Sequence, residues 1–312
     1  MARKVLFDVD PGCDDAIMLA MALGLDDIDV VGLTTVCGNS TVDNTTRNAL
    51  AILEAAGHDG VPVAKGCGRP IEGELETAEW VHGANGIRGT LPEPEGEPLD
   101  VHAADMIVDT AREYGEDLTI AAVGPLPNLA LALAKEPALP ELVGEIYLMG
   151  GNATVPGNAT PMAEANFRND AVAASRVLQD AEPKHVGLDV TDAATVVPET
   201  VQRYMAADGG LGLIGDWLDY PDEVVDLGEG GPAIHDAAVV ADVVGDVLTY
   251  EEYYCEVDTT GGPSNGATVC DVNGVLDAEP NAAVAMDIDV PGYRDILVEG
   301  VEAYAERVDQ TS

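Results

Sequence analysis

Basic residues are scarce in this sequence: 14 lysines and arginines stand against 57 aspartates and glutamates, which gives a formal net charge of −43. Direct binding to nucleic acid is disfavoured, because no basic stripe is present to neutralise phosphates. So many carboxylates repel one another at low salt, whereas at molar salt the Debye length is only about 3 Å and the repulsion is screened. The charge therefore predicts a cytosolic protein of an extreme halophile.

Aromatic residues, paired cysteines and long apolar runs are also scarce. Aromatics make up 4% of the chain, so small aliphatic side chains must fill the core, for which a hydrophobic content of 46% is ample. The five cysteines form no CxxC pair, which favours buried free thiols over disulfides or zinc. No run approaches 18 apolar residues, and the first residues lead straight into a strand pattern. We therefore expect neither a membrane span nor a signal peptide, and a cytoplasmic location.

Apolar runs of strand length alternate with helical patterns along most of the chain. A strand at Lys4–Val9 precedes a helix at Asp14–Leu25, and a strand at Val30–Val36 precedes a helix at Val42–Ala56. Repeated units of this kind predict an α/β fold with a mostly parallel open sheet covered by helices. A small antiparallel addition near the C-terminus is predicted by three late strand patterns, at Tyr253–Val257, Thr268–Val272 and Ala283–Ile288.

Neither a linker nor an internal repeat interrupts this alternation. The longest polar stretch, Gly66–Asp100, is rich in glycine, proline and glutamate. We interpret it as a functional loop and not as a domain boundary. Residues 1–312 are therefore predicted to form a single domain.

Four carboxylates crowd the segment DVDPGCDDA, which follows the first predicted strand: Asp8, Asp10, Asp14 and Asp15. A strand, a Pro-Gly turn and a helix would place them at the carboxyl end of a strand, where open α/β sheets bind ligands. Like charges this close raise one another's pKa or require a cation. Oxygen ligands suit a hard ion such as Ca²⁺ or Mg²⁺ better than zinc. The segment therefore predicts a metal-centred enzyme.

Further amide and carboxylate side chains follow later strands and are expected at the same edge of the sheet. Such groups suit the hydroxyls of a sugar, each of which needs both donors and acceptors. A phosphate site would instead show lysine, arginine or a P-loop. The side chains concerned are Asn39, Asn128, Asn152, Asn158, Glu164, Asn166 and the pair His235-Asp236.

Taken in order, the motifs DVDPGCDDA, GN, VGPLPN, LMGG, N-x5-E-x-N and HDA resemble those of the inosine–uridine-type nucleoside hydrolase family. The resemblance runs from residue 5 to about residue 272. It implies a mostly parallel α/β sheet with a tightly bound Ca²⁺ at its carboxyl edge. It also implies hydrolysis of the N-glycosidic bond of ribonucleosides to free base and ribose, through a transition state that resembles an oxocarbenium ion. We expect a homodimer or homotetramer.

The resemblance also implies a role for each matching residue. Asp10 would be the general base that activates water at the Ca²⁺, and His235 would sit beside the leaving base. That base must accept a proton or be stabilised as an anion, and His235 is the only obvious donor in the sequence. His82, in Val81-His82-Gly83, matches the loop that closes over the site. The implied metal ligands are Asp10, Asp15, Asp236 and the carbonyl of Val123. The side chains implied to bind the substrate are Asp14, Asn39, His82, Asn158, Glu164 and Asn166.

Some positions depart from the family's pattern and leave the preferred base open. Ala165 stands where the family commonly has phenylalanine between Glu164 and Asn166. Trp217 and Tyr220 lie where members often carry residues that stack on the base, although core packing is the favoured interpretation of both.

Two other functions stay open. One is a nucleoside- or ribose-binding protein without turnover. The other is a phosphatase similar to haloacid dehalogenases, whose first strand also ends in Asp-x-Asp, as at Asp8-Val9-Asp10. For Asp8 two interpretations stay open, structural support of the cluster or hydrogen bonding to the metal's shell, and we assign it no catalytic role.

Overall fold

A computed structural model describes residues 2–221 and 231–311, and an eight-stranded sheet forms its centre. The strand order is β3-β2-β1-β4-β5-β6-β10-β7, with parallel pairing throughout except for β7, which runs antiparallel to β10. Two further strands, β8 and β9, form a separate antiparallel hairpin. The bounds are β1 Arg3–Val9, β2 Ile28–Thr35, β3 Val63–Lys65, β4 Leu118–Ala122, β5 Glu145–Met149, β6 Lys184–Val186, β7 Leu248–Tyr253, β8 Cys255–Val257, β9 Thr268–Cys270 and β10 Ala282–Ile288.

Helices cover both faces of the sheet, as the predicted α/β fold requires. They are α1 Cys13–Gly24, α2 Val42–Ala55, α3 Glu79–His82, α4 Ala103–Tyr114, α5 Pro127–Lys135, α6 Leu139–Leu142, α7 Ala165–Asn169, α8 Ala171–Ala181, α9 Leu188–Thr191, α10 Pro198–Met205, α11 Gly209–Trp217, α12 Ala237–Gly245 and α13 Val290–Thr311, with a short 3₁₀ turn at Gly115–Asp117. None of the helices in the described part of the chain is long and apolar enough to cross a membrane.

Strand alternation in β1 divides the apolar core into two layers. Val5, Phe7 and Val9 point to the layer that contains α1, α12 and α13. Leu6 points to the opposite layer, where α4, α5 and α8 lie. Each face of β1 is thus buried, which explains why its sequence reads as a continuous apolar run.

The order of the strands also locates a crevice. From β1 the chain moves outward to β2 and β3, and it then returns to the other side of β1 to form β4 and β5. The point at which the direction of winding reverses is where open α/β sheets bind ligands, outside the carboxyl ends of the strands. Asp10 follows β1 and Val123 follows β4, so both lie at this point.

The late strands differ in part from the prediction. The β8–β9 hairpin is the small antiparallel addition, whereas β10 joins the main sheet parallel to β6. The pattern at Tyr253–Val257 is divided between the end of β7 and the whole of β8. Periodicity identifies a strand but carries no information about which neighbour it pairs with, so the sequence alone did not place β10.

Helices α1 and α13 meet at two glycines. A Cβ built on Gly24 would lie 1.9 Å from the carbonyl oxygen of Gly300, and one on Gly300 would lie 2.6 Å from the carbonyl oxygen of Met21. A real Cβ cannot approach an oxygen so closely. The C-terminal helix therefore fixes the position of α1, whose first turn carries Asp14 and Asp15.

Buried free thiols were predicted for the five cysteines: all five are free, but only Cys13, Cys37 and Cys255 are buried, whereas Cys67 and Cys270 are partly exposed. Cys255 and Cys270 face each other across the hairpin, with their sulfur atoms 3.4 Å apart.

Candidate active site

A cavity of about 660 Å³ opens at the crevice described above. Most of the residues singled out by the motifs line it, although they come from loops distributed over most of the chain; Asn128 and Asn152, expected at the same edge, do not. The residues that line it are Asp10, Asp14, Asn39, His82, Val123, Asn158, Glu164, Asn166, His235 and Asp236. Asp15 is buried directly beneath them in the first turn of α1.

Asp10 is buried and held in one orientation. The backbone N–H of Asn39 donates to its Oδ2 at 2.6 Å. A Cβ on Gly38 would lie 2.0 Å from Oδ2, and one on Gly124 would lie 2.3 Å from Oδ1. Only glycine at both positions leaves room for this carboxylate, which lies between the ends of β2 and β4.

Three carboxylates converge beside Asp10. One oxygen from each of Asp14, Asp15 and Asp236 lies within 4.8 Å of the other two. Asp14 had been expected to bind ribose, whereas Asp10, expected as a ligand, is outside this group. Oδ2 of Asp10 accepts the N–H of Asn39, and the role of Asp10 as a ligand stays a prediction.

The electrostatics of the cluster are those of buried like charges. Burial, and then the charge of Asp14, raises the pKa of Asp15 to about 7. Burial raises the pKa of Asp10 well above its usual range, and the charge of Asp15 adds to the effect. The pKa of Asp236 is raised in the same way, by burial and then by the charges of Asp14 and Asp15. Such carboxylates must either hold protons or share a cation.

The residues fit a hard cation better than protons. Oδ1 of Asp14 is buried without a hydrogen-bond partner in the described part of the chain, so one ligand oxygen is available. Asp15 keeps its orientation because it accepts the backbone N–H groups of Asp10 and Gly12. An all-oxygen set of carboxylates on a rigid frame is typical of Ca²⁺ sites.

The opposite wall is built around α7. Glu164 caps this helix, because its carboxylate accepts the N–H groups of Gly151, Asn166 and Phe167. The Asn166 amide donates to the carbonyl of Val123 at 2.7 Å and to that of Met149 at 3.1 Å. The carbonyl of Val123, expected as a metal ligand, thus already has one partner, and its second lone pair is free to accept another.

His82 is a neutral imidazole. Its Nδ1 accepts the backbone N–H of Cys13 at 3.0 Å, which places its proton on Nε2. Burial also lowers the pKa of His82. Asp14 lies 4.0 Å from Nδ1, but that nitrogen carries no proton, so the two form no ion pair. His82 therefore holds α3 against the N-terminus of α1.

Three aromatic residues differ in how well the sequence predicted their positions. Trp217 is fully buried and packs near Tyr304, as predicted. Tyr220 packs on the core but also lines the cavity, where its ring meets His82 edge-on at 6.4 Å. Trp80, which is 70% exposed, stands at the rim of the cavity. Its only signal in the sequence was its place two residues before His82.

Asp8 is wholly buried, on the same face of β1 as Leu6. The Asn128 amide and the Thr34 hydroxyl both donate to its Oδ1, at 2.8 and 2.7 Å. Burial raises its pKa to about 7. Asp8 does not line the cavity, so its position agrees with a structural role.

Comparison with known proteins gives a consistent match. The family described as inosine-uridine preferring nucleoside hydrolase matches residues 5–295. A pyrimidine-specific ribonucleoside hydrolase, RihA of Citrobacter koseri, is 38% identical over 314 residues, which cover 98% of this chain and all of the relative. RihB of Escherichia coli O1:K1, also pyrimidine-specific, is 36% identical, covering 97% of this chain and 98% of the relative.

The fold matches solved structures of the same kind. A purine-preferring ribonucleoside hydrolase from Gardnerella vaginalis superposes with a TM-score of 0.90 at 30% identity, covering 97% of this chain and 99% of the other. The match therefore extends over both sequence and fold. The chain belongs to the inosine-uridine preferring nucleoside hydrolase family and is a ribonucleoside hydrolase, an N-glycosidase.

Proposed function

We propose that the cavity cleaves the N-glycosidic bond of ribonucleosides by adding water to the anomeric carbon, with Ca²⁺ held by the carboxylate cluster. The convergence of Asp14, Asp15 and Asp236 beside the buried Asp10 carries this proposal. Asp10 and the Val123 carbonyl border the same space and would complete the set of oxygen ligands. When bound, the cation supplies positive charge that offsets the repulsion and makes water a better nucleophile.

Asp10 acts as the general base. Its carboxylate takes a proton from the attacking water while the bond between the anomeric carbon and the base breaks. The Asn39 N–H and the two flanking glycines keep the carboxylate in place for this transfer. A positioned base of this kind contributes about 10²–10⁴-fold to a rate.

The electron pair of the broken bond leaves with the base as an anion, which His235 beside it stabilises by donating a hydrogen bond. Solvent then protonates the released base. Positive charge develops on the ribose as the bond breaks. Asp14, together with Glu164 and the amides of Asn39, Asn158 and Asn166, surrounds the sugar with negative charge and fixed dipoles. Preorganised groups of this sort stabilise developing charge more strongly than water does.

We further propose a preference for pyrimidine nucleosides. The support is that RihA and RihB, named as pyrimidine-specific, match this chain at 38% and 36% identity over nearly its whole length. Inosine or guanosine as the fastest substrate would contradict this preference without contradicting the reaction.

The first experiment is to measure ribose release from uridine, cytidine, inosine, adenosine and guanosine in parallel, in molar KCl with Ca²⁺. We expect release that stops when EDTA removes the cation and returns when Ca²⁺ is restored. No release from any of the five, by protein whose circular dichroism shows it folded, would favour a binding protein without turnover.

Phosphatase chemistry has little support. In a haloacid-dehalogenase-like enzyme, the first aspartate of Asp8-Val9-Asp10 would have to attack a phosphate. Asp8 is wholly buried, accepts hydrogen bonds from Asn128 and Thr34, and does not line the cavity. A phosphate monoester tested beside the nucleosides should remain intact.

A further inference from the structure

Within residues 2–221 and 231–311, the side chain of His235 has one hydrogen-bond partner, the hydroxyl of Thr191. Nδ1 of the imidazole lies 2.8 Å from Oγ1 of Thr191. Thr191 ends α9 and is completely buried, whereas His235 is half-buried and lines the cavity. No motif in the sequence pointed to Thr191.

We propose that Thr191 is a positioning residue, which holds the imidazole of His235 so that its Nε2–H faces the leaving base. This inference rests on the proposed function, since it assigns Thr191 a part in the same reaction. Thr191 neither lines the cavity nor belongs to the carboxylate cluster, and it acts only through His235.

The direction of the hydrogen bond follows from burial. Among the residues that the structure describes, the Thr191 hydroxyl has no other hydrogen-bond partner than His235. If it accepted a proton from Nδ1, its own hydrogen would be buried without an acceptor, which costs roughly 1–3 kcal/mol. The hydroxyl therefore donates to Nδ1. The neutral ring then carries its proton on Nε2, the nitrogen on the other side of the ring.

The backbone around both residues forms one rigid frame. The N–H of Ile234 donates to the carbonyl of Ala194 at 2.9 Å, and the N–H of Val196 donates to that of Pro232 at the same distance. Arg294 of α13 then donates to the carbonyl and the hydroxyl of Thr195. The segment before His235 is thus joined to the segment after Thr191.

Because this frame is held by backbone bonds and Arg294, the hydroxyl of Thr191 is not needed to keep the two segments together. Its removal should free the His235 ring while leaving the frame intact. This separates a positioning role from a structural one.

The test compares Thr191→Val with Thr191→Ser on two kinds of substrate. The bases of uridine and inosine are poor leaving groups, which need a hydrogen-bond donor to stabilise the charge they carry away. In p-nitrophenyl β-riboside the leaving group is a stable anion that needs none. We expect Thr191→Val to lower kcat on the nucleosides by about tenfold to a hundredfold with little change in KM, as for loss of an oriented donor. It should change p-nitrophenyl riboside turnover by less than about threefold.

Thr191→Ser keeps the hydroxyl and should recover most of the nucleoside rate. Thr119→Val is the matched control, because Thr119 is also buried but lies near the amino end of β4, away from the cavity. If Thr191→Val does not fold, Thr191→Ala takes its place in the same comparison.

An equal loss on both kinds of substrate, or no loss on either, would overturn the positioning role. Failure of the proposed function is a different result, in which the unaltered protein releases ribose from no nucleoside.

Discussion

Asp10 and Asp8 are two buried carboxylates on one strand and its turn, yet their surroundings differ. Asp10 borders the cavity, whereas both donors to Asp8 belong to the sheet and to α5. The same chemical change at the two positions should therefore have different effects.

Asp10→Asn should preserve the fold and lower kcat by about two decades or more, because the amide keeps an oxygen for the Asn39 N–H but cannot take a proton. Steady-state ribose release in molar KCl measures the effect. Asp8→Asn is the control and should stay within about tenfold of the unaltered rate, well short of the loss of a general base. Near-normal turnover by Asp10→Asn would remove Asp10 from the role of base.

His185 should make stability depend on pH. It is fully buried, its Nε2–H donates to the carbonyl of Gly150 at 2.6 Å, and its ring stacks on Phe167. Burial lowers the pKa of His185 below the ordinary 6.5. The unfolded chain then binds a proton that the folded one resists, so this stability is present above pH 6.5 and is lost as the pH falls.

The unaltered protein should lose up to about 1.4 kcal/mol of unfolding free energy through His185 for each pH unit below 6.5. His185→Gln, which keeps a donor for Gly150 but does not titrate, should lose correspondingly less. Urea unfolding of both proteins at pH 7.5 and 5.5 in molar KCl gives the difference. Parallel pH dependence in the two would show that His185 does not contribute.

Site residues that stand in motifs were located well from the sequence, and those outside any motif were located poorly. Asp10, Asp14 and Asp236 stand in motifs whose carboxylates have no other reason to crowd, and the structure brings all three to one cavity. Thr191 and Tyr220 belong to no motif, because a hydroxyl or a ring is equally common in any core. Their positions depend on tertiary packing, which local pattern does not encode.

At the scale of elements, the close contact between α1 and α13 constrains the position of the site. Gly24→Ala would place a methyl group against the Gly300 carbonyl and push the helices apart. Overpacking of this kind costs about 1–3 kcal/mol, more than the gain in helix propensity of about 0.5–1 kcal/mol. Urea unfolding should show a net loss, with activity falling because α1 carries Asp14 and Asp15.

Gly60→Ala is the matched control, since a Cβ there meets nothing within 4 Å. It should leave both stability and activity nearly unchanged. If Gly24→Ala were as stable as this control, α1 and α13 would have more freedom to adjust than the close approach suggests.

The alternation of strands and helices predicted the first elements closely. The predicted Lys4–Val9 strand and Val42–Ala56 helix agree with β1 and α2 to within a residue. The sequence failed to show β7, since its outward side chains are polar and it follows a long helical region. Partner choice, as for β10, depends on contacts far apart in sequence and could not be predicted from periodicity.

At the scale of the whole molecule, charge dominates. Most of the basic side chains are already in ion pairs, such as Lys4 with Asp29 and Arg112 with Glu136. With a net charge of −43, most carboxylates are left without a basic partner, and they repel one another across the surface.

Stability should therefore fall as KCl is removed, because the screening length grows from about 3 Å at 1 M to about 10 Å at 0.1 M. Thermal melts followed by circular dichroism at a series of KCl concentrations check this. An unchanged melting temperature in dilute buffer would contradict the halophile interpretation.

Two further predictions also concern the whole molecule. The sheet takes strands from both the beginning and the end of the chain, which supports a single domain. A homodimer or homotetramer remains a prediction, and light scattering in molar KCl would distinguish these two states from a monomer.

The carboxylate cluster has a consequence for the order in which the cation site is assembled during synthesis. Asp14 and Asp15 leave the ribosome early, but more than two-thirds of the chain must be synthesised before Asp236 follows. A nascent chain thus carries two of the three clustered carboxylates before the third has been made. We therefore expect the complete cation site to form only after most strands of the central sheet have been made, so that the ion would stabilise the finished fold and not initiate it.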